Sequence, residues 1–366
     1  MTGPLRLLCV LPDLAVGGAQ RTMVNLINEF PAHGIEPTLV LTCARGPAER
    51  WLANPDCVVA LERDQTRHAL WPLRREIGRQ RPDLVFSTMV DTNILSALAV
   101  LGRRNVPLIA RETNSHRARG DLGFVRTQLI GWTYRNADRV VALSHGVEAE
   151  LVADYHLDPG KTVTIHNPVD VAKFATKRDD RPGDAAPVIV TIGRLHRQKG
   201  FDRLIDAFAR LANDSAHLVI IGGGPDRAKL EDQARRLGVE DRIRFEGYLA
   251  DSSSWLARAD LFVSSSRWEG FGHVIVEAMA AGAPVIAVDC PHGPRDIITP
   301  DVNGVLVSPG EGLADRLAKA IDRLLVDPAS AKALAARGLQ DSARFQPRSI
   351  VAHYVDLFEQ VLSARV

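Results

Sequence analysis

Short runs of consecutive apolar residues alternate with segments of helical periodicity along most of this chain. Uninterrupted apolar runs are typical of strands buried on both faces of a parallel sheet, and their alternation with helices is typical of α/β domains. A first series of strand candidates lies at 5–11, 37–42, 57–61, 83–87, 106–110, 139–143 and 162–165. A second series lies at 188–192, 217–221, 242–246, 260–264, 284–288 and 304–307. The sequence therefore predicts an α/β protein built on two parallel sheets.

The segment 174–187 separates the two series. It is charged, lacks apolar periodicity and contains proline and glycine, so we interpret it as an interdomain linker. The length of 366 residues also suits two domains. We predict two doubly wound, Rossmann-like domains that face a central cleft, at 1–173 and 188–348, followed by a C-terminal helix at 349–366. Ligands of such domains bind beyond the carboxyl ends of the strands.

The composition excludes several classes of protein. Lys and Arg total 45 against 44 Asp and Glu, a net charge of +1, which argues against a dedicated nucleic-acid binder. Cys9, Cys43, Cys57 and Cys290 lack the paired spacing of metal sites, so we expect a reducing, cytoplasmic compartment. No apolar run approaches the ~18 residues of a spanning helix, and any membrane contact is therefore expected to be peripheral.

The stretch 268–286 carries the clearest candidate site. Glu269 and Glu277 flank seven residues that contain a Gly-Phe-Gly run, and a helix and a further strand follow. Gly270 and Gly272 allow the backbone to approach a ligand closely. A helix that starts here offers N–H groups to a diphosphate, and the carboxylates suit sugar hydroxyls. The alternative is an ordinary strand–turn–helix with a solvated Glu269.

Two more loops follow predicted strands. Gly17 and Gly18 precede a helical run, where they either wrap a phosphate or a sugar or form a plain tight turn. The loop 193–200 contains Arg194 and Lys199, which either neutralise a diphosphate or remain solvated. These loops place candidate anion-binding groups after the first strand of each domain.

The Glu-x7-Glu run with its internal Gly-Phe-Gly resembles the signature of the retaining family-4 glycosyltransferases of GT-B fold, and the Gly-Arg-Leu-x-x-x-Lys-Gly run is similar to another element of that family. The resemblance implies transfer of a hexose or N-acetylhexosamine from a nucleoside diphosphate, with retention, and a last helix that crosses back onto the N-terminal domain. It implies catalytic roles for Glu269, Arg194 and Lys199, and a ribose contact for Glu277. The other donor-binding residues that it implies are Gly17, Gly18, Gly223, Gly224, Phe271 and Gly272.

The first domain departs from the family pattern. Many members carry a histidine directly after the strand at 106–110, whereas this chain continues Arg-Glu-Thr-Asn-Ser-His. Either His116 reaches back as a catalytic residue, or Glu112 or Asn114 takes that position and contacts the acceptor, in which case His116 is an ordinary surface residue. Arg295 is an extra cation that either meets an acceptor phosphate or forms a surface ion pair. The chain looks most like enzymes that extend polyprenyl-diphosphate-linked glycans from UDP-sugars in cell-surface polysaccharide or glycoconjugate synthesis.

Two arginine-rich segments, 63–81 with Trp71 and 111–139 with Phe124, either lie against an anionic bilayer or a polyprenyl diphosphate or pack as amphipathic helices. The chain has no Asp-x-Asp pair and no His or Cys spacing typical of a metal site, so we expect an enzyme without metal or cofactor. Three rivals stay open: a sugar-nucleotide epimerase of the same fold, a non-catalytic glycan-binding module, and a nicotinamide dehydrogenase. The last is disfavoured because the first strand leads into Gly-Gly-Ala-Gln rather than a dinucleotide-binding motif.

Overall fold

The computed structural model describes residues 3–15, 17–103, 105–120, 123–175 and 186–365. Residues 176–185 of the predicted linker lie outside this set, as do residues 121–122 of the second arginine-rich segment. The chain divides into two compact units. The first unit comprises Met1–Val169 and Pro347–Val366, and the second unit comprises Asp170–Gln346.

Within the described residues, the first unit is built on a seven-stranded parallel sheet in the order β3-β2-β1-β4-β5-β6-β7. The strands are β1 Leu5–Leu11, β2 Ile35–Leu41, β3 Val58–Ala60, β4 Leu84–Thr88, β5 Leu108–Arg111, β6 Arg139–Ala142 and β7 Thr162–Thr164. Chain order runs outward in opposite directions from the central pair β1 and β4. The carboxyl ends of that pair are therefore the point at which such a sheet binds ligands.

Helices cover both faces of this sheet. They are α1 Gly18–Glu29, α2 Leu70–Gln80, α3 Val90–Val100, α4 His116–Arg119, α5 Phe124–Asn136, α6 His145–Tyr155 and, from the end of the chain, α14 Pro347–Ser363. One apolar cluster packs α1 and α14 on the sheet, and another packs α2, α3, α5 and α6 on the opposite face. Strands buried from both sides explain why the apolar runs in the sequence are uninterrupted.

The C-terminal helix α14 belongs to the first unit because of its apolar stripe. Its buried residues recur at helical spacing: Ile350, Val351, Tyr354, Leu357, Phe358 and Val361. The Phe358 ring lies 5.8 Å from that of Phe30 and 5.9 Å from that of Phe86. Burial of each large apolar side chain stabilises such an interface by about 1.5–3 kcal/mol.

Arg111 is fully buried at the end of β5. Its Nε donates to the Tyr354 hydroxyl at 3.1 Å, its Nη1 donates to Thr88 Oγ1 at 2.9 Å, and its Nη2 donates to the side-chain oxygen of Asn167. One cation thus joins β4, the segment after β7 and α14 through neutral acceptors. Of the two alternatives for the arginine-rich segment 111–139, Arg111 itself follows the packed one, and charge alone does not reveal acceptors that are distant in sequence.

The second unit contains, within the described residues, a six-stranded parallel sheet in the order β10-β9-β8-β11-β12-β13. The strands are β8 Val188–Ile192, β9 His217–Ile221, β10 Ile243–Gly247, β11 Leu261–Ser264, β12 Val285–Val288 and β13 Val305–Val307. The helices are α7 Phe201–Phe208, α8 Arg227–Arg236, α9 Ser253–Arg258, α10 His273–Ala280, α11 Pro294–Ile297, α12 Leu313–Val326 and α13 Pro328–Ser342. Here the chain order reverses between β8 and β11.

The α/β fold with two doubly wound sheets is the one predicted from the sequence. Strand bounds shift by up to two residues: β2 begins at Ile35 because Pro37 is accommodated inside the strand, opposite Leu7, and β5 begins at Leu108 rather than at residue 106. Among the helices of the described ranges, none combines the length and the apolar character needed to cross a bilayer.

Candidate functional site

Two loops meet at the switch point of the second unit, where β8 and β11 end side by side. Ser265 Oγ donates to the Lys199 carbonyl at 3.0 Å, and Gln198 Nε2 donates to the Trp268 carbonyl at 3.1 Å. The backbone N–H of Arg267 donates to the Gln198 carbonyl at 2.7 Å. These bonds hold the loop after β8 against the loop after β11, at the edge where parallel sheets bind ligands.

An ion pair lies between these two loops. Lys199 Nζ is 2.6 Å from Glu269 Oε1, and Ser266 Oγ donates to the same oxygen at 2.6 Å. The side chains are 21% and 7% exposed, so the pair is largely shielded from water but open on one side. Among the described residues, no group donates to the second oxygen, Oε2. The carboxylate is therefore fixed in orientation while it keeps one acceptor oxygen for a ligand.

Helix α10 begins directly after this carboxylate. Gly272 precedes its first residue, and Glu277 lies buried in its second turn. The Phe271 ring is buried, with its centroid 5.3 Å from that of Phe345, so a ligand would meet the backbone of Phe271 rather than its ring. The positive end of the helix dipole thus lies beside Glu269 and Lys199.

The glycine turn after β9 packs on the loop after β8. Gly223 accepts a hydrogen bond from the Leu195 N–H at 2.9 Å. A Cβ on Gly224 would lie 2.3 Å from the Leu195 carbonyl oxygen, whereas a Cβ on Gly223 would meet no atom within 4 Å. Gly224 is thus required by packing, and Gly223 faces open space next to Leu195.

Arg194 and Arg295, the two remaining candidate cations in the second unit, differ in their surroundings. Arg194 is exposed, and no described residue forms an ion pair or hydrogen bond with its guanidinium. Arg295 is paired at two points with Asp289, at 2.7 Å from Nε and 2.5 Å from Nη2. The structure therefore leaves Arg194 open to an anion, whereas it gives Arg295 the surface ion pair that was the alternative to an acceptor contact.

In the first unit, Gly17 and Gly18 lie where α1 begins, beyond the carboxyl end of β1. Gln20 closes this turn because its Nε2 donates to Asp13 Oδ1 at 3.0 Å. Gly18 is exposed, and Gly17 is half-buried against Gln20. The pair thus lies at the switch point of its own sheet.

The residues after β5 form a buried network. Glu112 is fully buried and accepts hydrogen bonds from the N–H groups of Thr113 and Asn114, at 2.7 and 3.0 Å, and from the Tyr134 hydroxyl. The two N–H groups bond Oε1, whereas the Tyr134 hydroxyl bonds Oε2, which also lies 2.8 Å from His116 Nε2. Both carboxylate oxygens of Glu112 are therefore already hydrogen-bonded by residues of the first unit.

His116 is held from both sides of its ring. Its Nδ1 is hydrogen-bonded to the Tyr155 hydroxyl, and its Nε2 to Glu112. Glu150 fixes the same segment, since it accepts from the Ser115 hydroxyl at 2.6 Å and from the N–H groups of His116 and Arg117 at 2.6 and 3.0 Å. Sequence reasoning gave no signal for Tyr134, Glu150 or Tyr155. Of the three N-terminal candidates, Asn114 is the one left half-buried rather than enclosed.

This network sets the ionisation of Glu112. Burial by itself raises the pKa of Glu112, but the hydrogen bond and charge of His116, together with the Tyr134 hydroxyl, outweigh burial and hold the pKa below its usual value. A depressed carboxyl pKa stabilises the fold above the unfolded-state pKa of about 4.3. That contribution is lost as the pH falls through the folded-state pKa.

We expect Tyr134→Phe to begin acid unfolding at a higher pH than the wild type. The change removes one hydroxyl that stabilises the Glu112 carboxylate, so the folded-state pKa of Glu112 rises toward or above its usual value. Circular dichroism between pH 3 and 7 measures the transition. Tyr155→Phe is the matched control, since its hydroxyl bonds His116 rather than Glu112. An equal shift in both variants would refute the assignment to Glu112.

Two family models match this chain. The model described as "Glycosyl transferases group 1" matches residues 173–341, and that of "Glycosyltransferase Family 4" matches residues 16–173. The chain is 31% identical to the lipopolysaccharide core biosynthesis glycosyltransferase LpsE of Rhizobium meliloti, over 93% of this chain and 95% of the relative.

The chain is also similar to a second relative, over about half of its length, and to a solved structure. A Campylobacter jejuni enzyme named N-acetylgalactosamine-N,N'-diacetylbacillosaminyl-diphospho-undecaprenol 4-alpha-N-acetylgalactosaminyltransferase is 29% identical over 49% of this chain and 49% of its own length. The crystal structure of Anabaena Alr3699/HepE in complex with UDP superposes with a TM-score of 0.83, over 98% of this chain and 100% of that one, at 22% identity. That structural likeness shows a shared GT-B fold.

Proposed function

The chain belongs to the family-4 glycosyltransferases, and we propose that it transfers a hexose or N-acetylhexosamine from a UDP-sugar to a glycan or polyprenyl-diphosphate-linked acceptor, with retention of configuration, in lipopolysaccharide or related glycoconjugate synthesis. The observation that carries the proposal is the Lys199–Glu269 pair, 2.6 Å apart, at the switch point of the second sheet. This pair offers a cation to a leaving diphosphate and an acceptor oxygen to a sugar hydroxyl.

The role proposed for each residue follows from the chemistry of its side chain. Arg194 and Lys199 neutralise the charge that develops on the leaving diphosphate, helped by the start of α10. Glu269 positions the sugar, and Glu277 accepts from the ribose hydroxyls. The leaving phosphate takes the proton of the acceptor hydroxyl on the face of the sugar that it departs from, which gives retention without a covalent enzyme intermediate.

Two relatives support the choice of substrates. Alr3699/HepE has been solved with UDP, and the Campylobacter jejuni relative bears a name that specifies a diphospho-undecaprenol acceptor. In the first unit, we assign the acceptor contact to Asn114, the half-buried member of the three candidates, because Glu112 and His116 are buried in the network that fixes its turn. Arg295 can contact an acceptor phosphate only if its ion pair with Asp289 breaks first.

Incubation with a panel of UDP- and GDP-sugars and a polyprenyl-diphosphate glycan, followed by mass spectrometry, tests this function. We expect one added hexose or N-acetylhexosamine on the acceptor and release of UDP. Interconversion of donors without an acceptor would instead identify an epimerase. Glycan binding without nucleotide release from any donor would identify a binding module.

Activity is expected to survive complete chelation of divalent metals. Arg194, Lys199 and the α10 dipole supply positive charge where other transferases use a metal held by carboxylates. Initial rates with and without EDTA, at equal ionic strength, measure the effect. A loss of activity that added Mn²⁺ restores would refute metal independence.

We also propose that the first unit contacts anionic membrane surfaces. Trp71 at the start of α2 and Phe124 at the start of α5 are 75% and 79% exposed, and Arg67 and Arg75 are exposed beside Trp71. Crossover helices of a parallel sheet begin at the carboxyl edge, so these aromatic side chains lie at the edge that also carries Gly18. Exposed aromatic residues with nearby arginines suit an anionic interface.

Co-sedimentation with vesicles of neutral lipid, with and without about 30 mol% phosphatidylglycerol, measures this contact. We expect salt-sensitive binding to the anionic vesicles that falls at least ~5-fold in a Trp71→Ser/Phe124→Ser variant, because both apolar anchors are lost. Val326→Ser is the control, since Val326 is also 79% exposed but lies in the second unit. Equal binding by all three proteins would refute this surface.

A further inference from the structure

Ser266 gives the Glu269 carboxylate a hydrogen bond that does not depend on Lys199. It lies two residues beyond β11 and is 2% exposed. Its hydroxyl donates to Glu269 Oε1 at 2.6 Å, and Lys199 Nζ lies 2.6 Å from the same oxygen. The ammonium is carried on a long, flexible stem, whereas the serine hydroxyl is attached through a single carbon. One carboxylate oxygen is therefore held by a flexible charged partner and by a short neutral one.

The backbone around Ser266 is fixed on both sides. On the side before it, a Cβ on Gly200 would lie 2.1 Å from the Ser265 carbonyl oxygen, so the two loops touch there. On the side after it, the Arg267 guanidinium donates to both carboxylate oxygens of Asp202, at 2.7 and 2.6 Å. These contacts tie the segment to the loop after β8 and to α7. The Ser266 hydroxyl thus has a fixed place from which to donate.

The two partners of the Glu269 carboxylate have different tasks in the proposed reaction. Lys199 is assigned to the leaving diphosphate, whose negative charge grows in the transition state. One ammonium then serves two anions, and its attraction to the diphosphate weakens its hold on Oε1. Ser266 is neutral and buried, so the charge on the diphosphate does not draw its proton away. The serine bond is the one that keeps the carboxylate oriented while the sugar leaves.

We infer that Ser266 is a positioning residue for sugar transfer, acting through Glu269. Its bond to Oε1 keeps Oε2 directed at the donor sugar when Lys199 turns to the diphosphate. A group that is oriented before the reaction needs no reorganisation in the transition state, so loss of the hydroxyl should affect kcat rather than nucleotide affinity. This inference rests on the proposed transferase activity and deepens it.

The test is the substitution Ser266→Ala, measured by UDP release at saturating donor and acceptor. We expect kcat to fall at least ~10-fold, because the carboxylate loses its fixed direction. The Kd for UDP alone should stay close to wild type, since UDP carries no sugar for Glu269 to contact. Ser266→Thr keeps a hydroxyl at the same carbon and should recover most of the lost rate.

Ser342→Ala is the matched control. Ser342 is also a serine of the second unit with 2% exposure, and its hydroxyl donates to the Leu339 carbonyl at 2.7 Å, inside α13. Its replacement removes a buried hydroxyl of the same kind away from the Lys199–Glu269 pair. We expect wild-type kcat in this variant, and a melting temperature that changes about as much as in Ser266→Ala.

A second measurement separates positioning from a purely structural role. In a Glu269→Ala background, Ser266 has no carboxylate to hold, so Ser266→Ala should cause no further loss of kcat. Wild-type kcat in Ser266→Ala, or an equal loss in the Glu269→Ala background, would overturn the inference while the transferase activity stands. A wild-type protein that neither binds UDP nor consumes any UDP-sugar would overturn the proposed function, and this inference with it.

Discussion

Glu269→Gln is expected to lower kcat for sugar transfer about 100- to 1,000-fold while the protein stays folded. In the structure, Lys199 and Ser266 both engage Oε1 of this carboxylate, which fixes the direction of Oε2. Glutamine keeps the size of the side chain but removes the negative charge and one acceptor oxygen. The cation and the sugar then lose the group that orients both of them. Release of UDP at saturating donor and acceptor measures the effect, and the melting temperature shows whether the fold is retained.

Lys199→Met, combined with Glu269→Gln, tests whether these two side chains act together in catalysis or independently. We expect a loss of kcat similar to that of Glu269→Gln, because this cation is assigned to the leaving diphosphate. If the two side chains act as a unit, the double variant is no slower than the slower single variant. Glu231→Gln is the control: its exposed pair with Arg227 at 2.7 Å contributes about 1 kcal/mol at most to stability and nothing to the rate. Wild-type turnover in Glu269→Gln would remove this residue from the mechanism.

The sheets could be predicted from the sequence because each depends on local pattern. Buried parallel strands are continuous apolar runs, and the two series and the charged segment between them can be identified without any contact information. The loop motifs could be placed for the same reason: Lys199 and Glu269 each follow an apolar strand, and a parallel sheet brings the carboxyl ends of neighbouring strands to one edge. Because β8 and β11 are neighbours in the sheet, the loops that follow them bring Lys199 Nζ within 2.6 Å of Glu269 Oε1.

The buried polar contacts of the first unit could not be predicted in this way. Glu112 and Tyr134 are 22 residues apart, and Ser115 and Glu150 are 35 residues apart. No periodicity links such pairs. The local sequence around a loop glutamate does not show whether its carboxylate faces a substrate or a buried tyrosine. His116 was therefore a reasonable catalytic candidate by position, but its ring nitrogens are hydrogen-bonded to Tyr155 and Glu112.

Arg111→Met is expected to lower the free energy of unfolding by about 2–4 kcal/mol, as measured by urea denaturation followed by circular dichroism. Two effects oppose each other. Removal of a buried cation that has no carboxylate partner among the described residues relieves a desolvation cost. The same change leaves the Tyr354 hydroxyl, the Asn167 oxygen and the Thr88 hydroxyl without their donor, and each orphaned buried group costs roughly 1–3 kcal/mol. Three such groups outweigh the relief, so the variant is less stable.

A double-mutant cycle with Tyr354→Phe decides whether this account is correct. In the wild-type background, loss of the Tyr354 hydroxyl removes an acceptor from a charged donor at 3.1 Å, which costs about 1.5–3 kcal/mol. In the Arg111→Met background the hydroxyl is already orphaned, so its removal should cost nothing or stabilise the protein. Tyr248→Phe is the control, since Tyr248 is exposed in the second unit. Equal costs of Tyr354→Phe in both backgrounds would show that Arg111 does not hold α14 through this bond, and α14 would then depend on its apolar stripe alone.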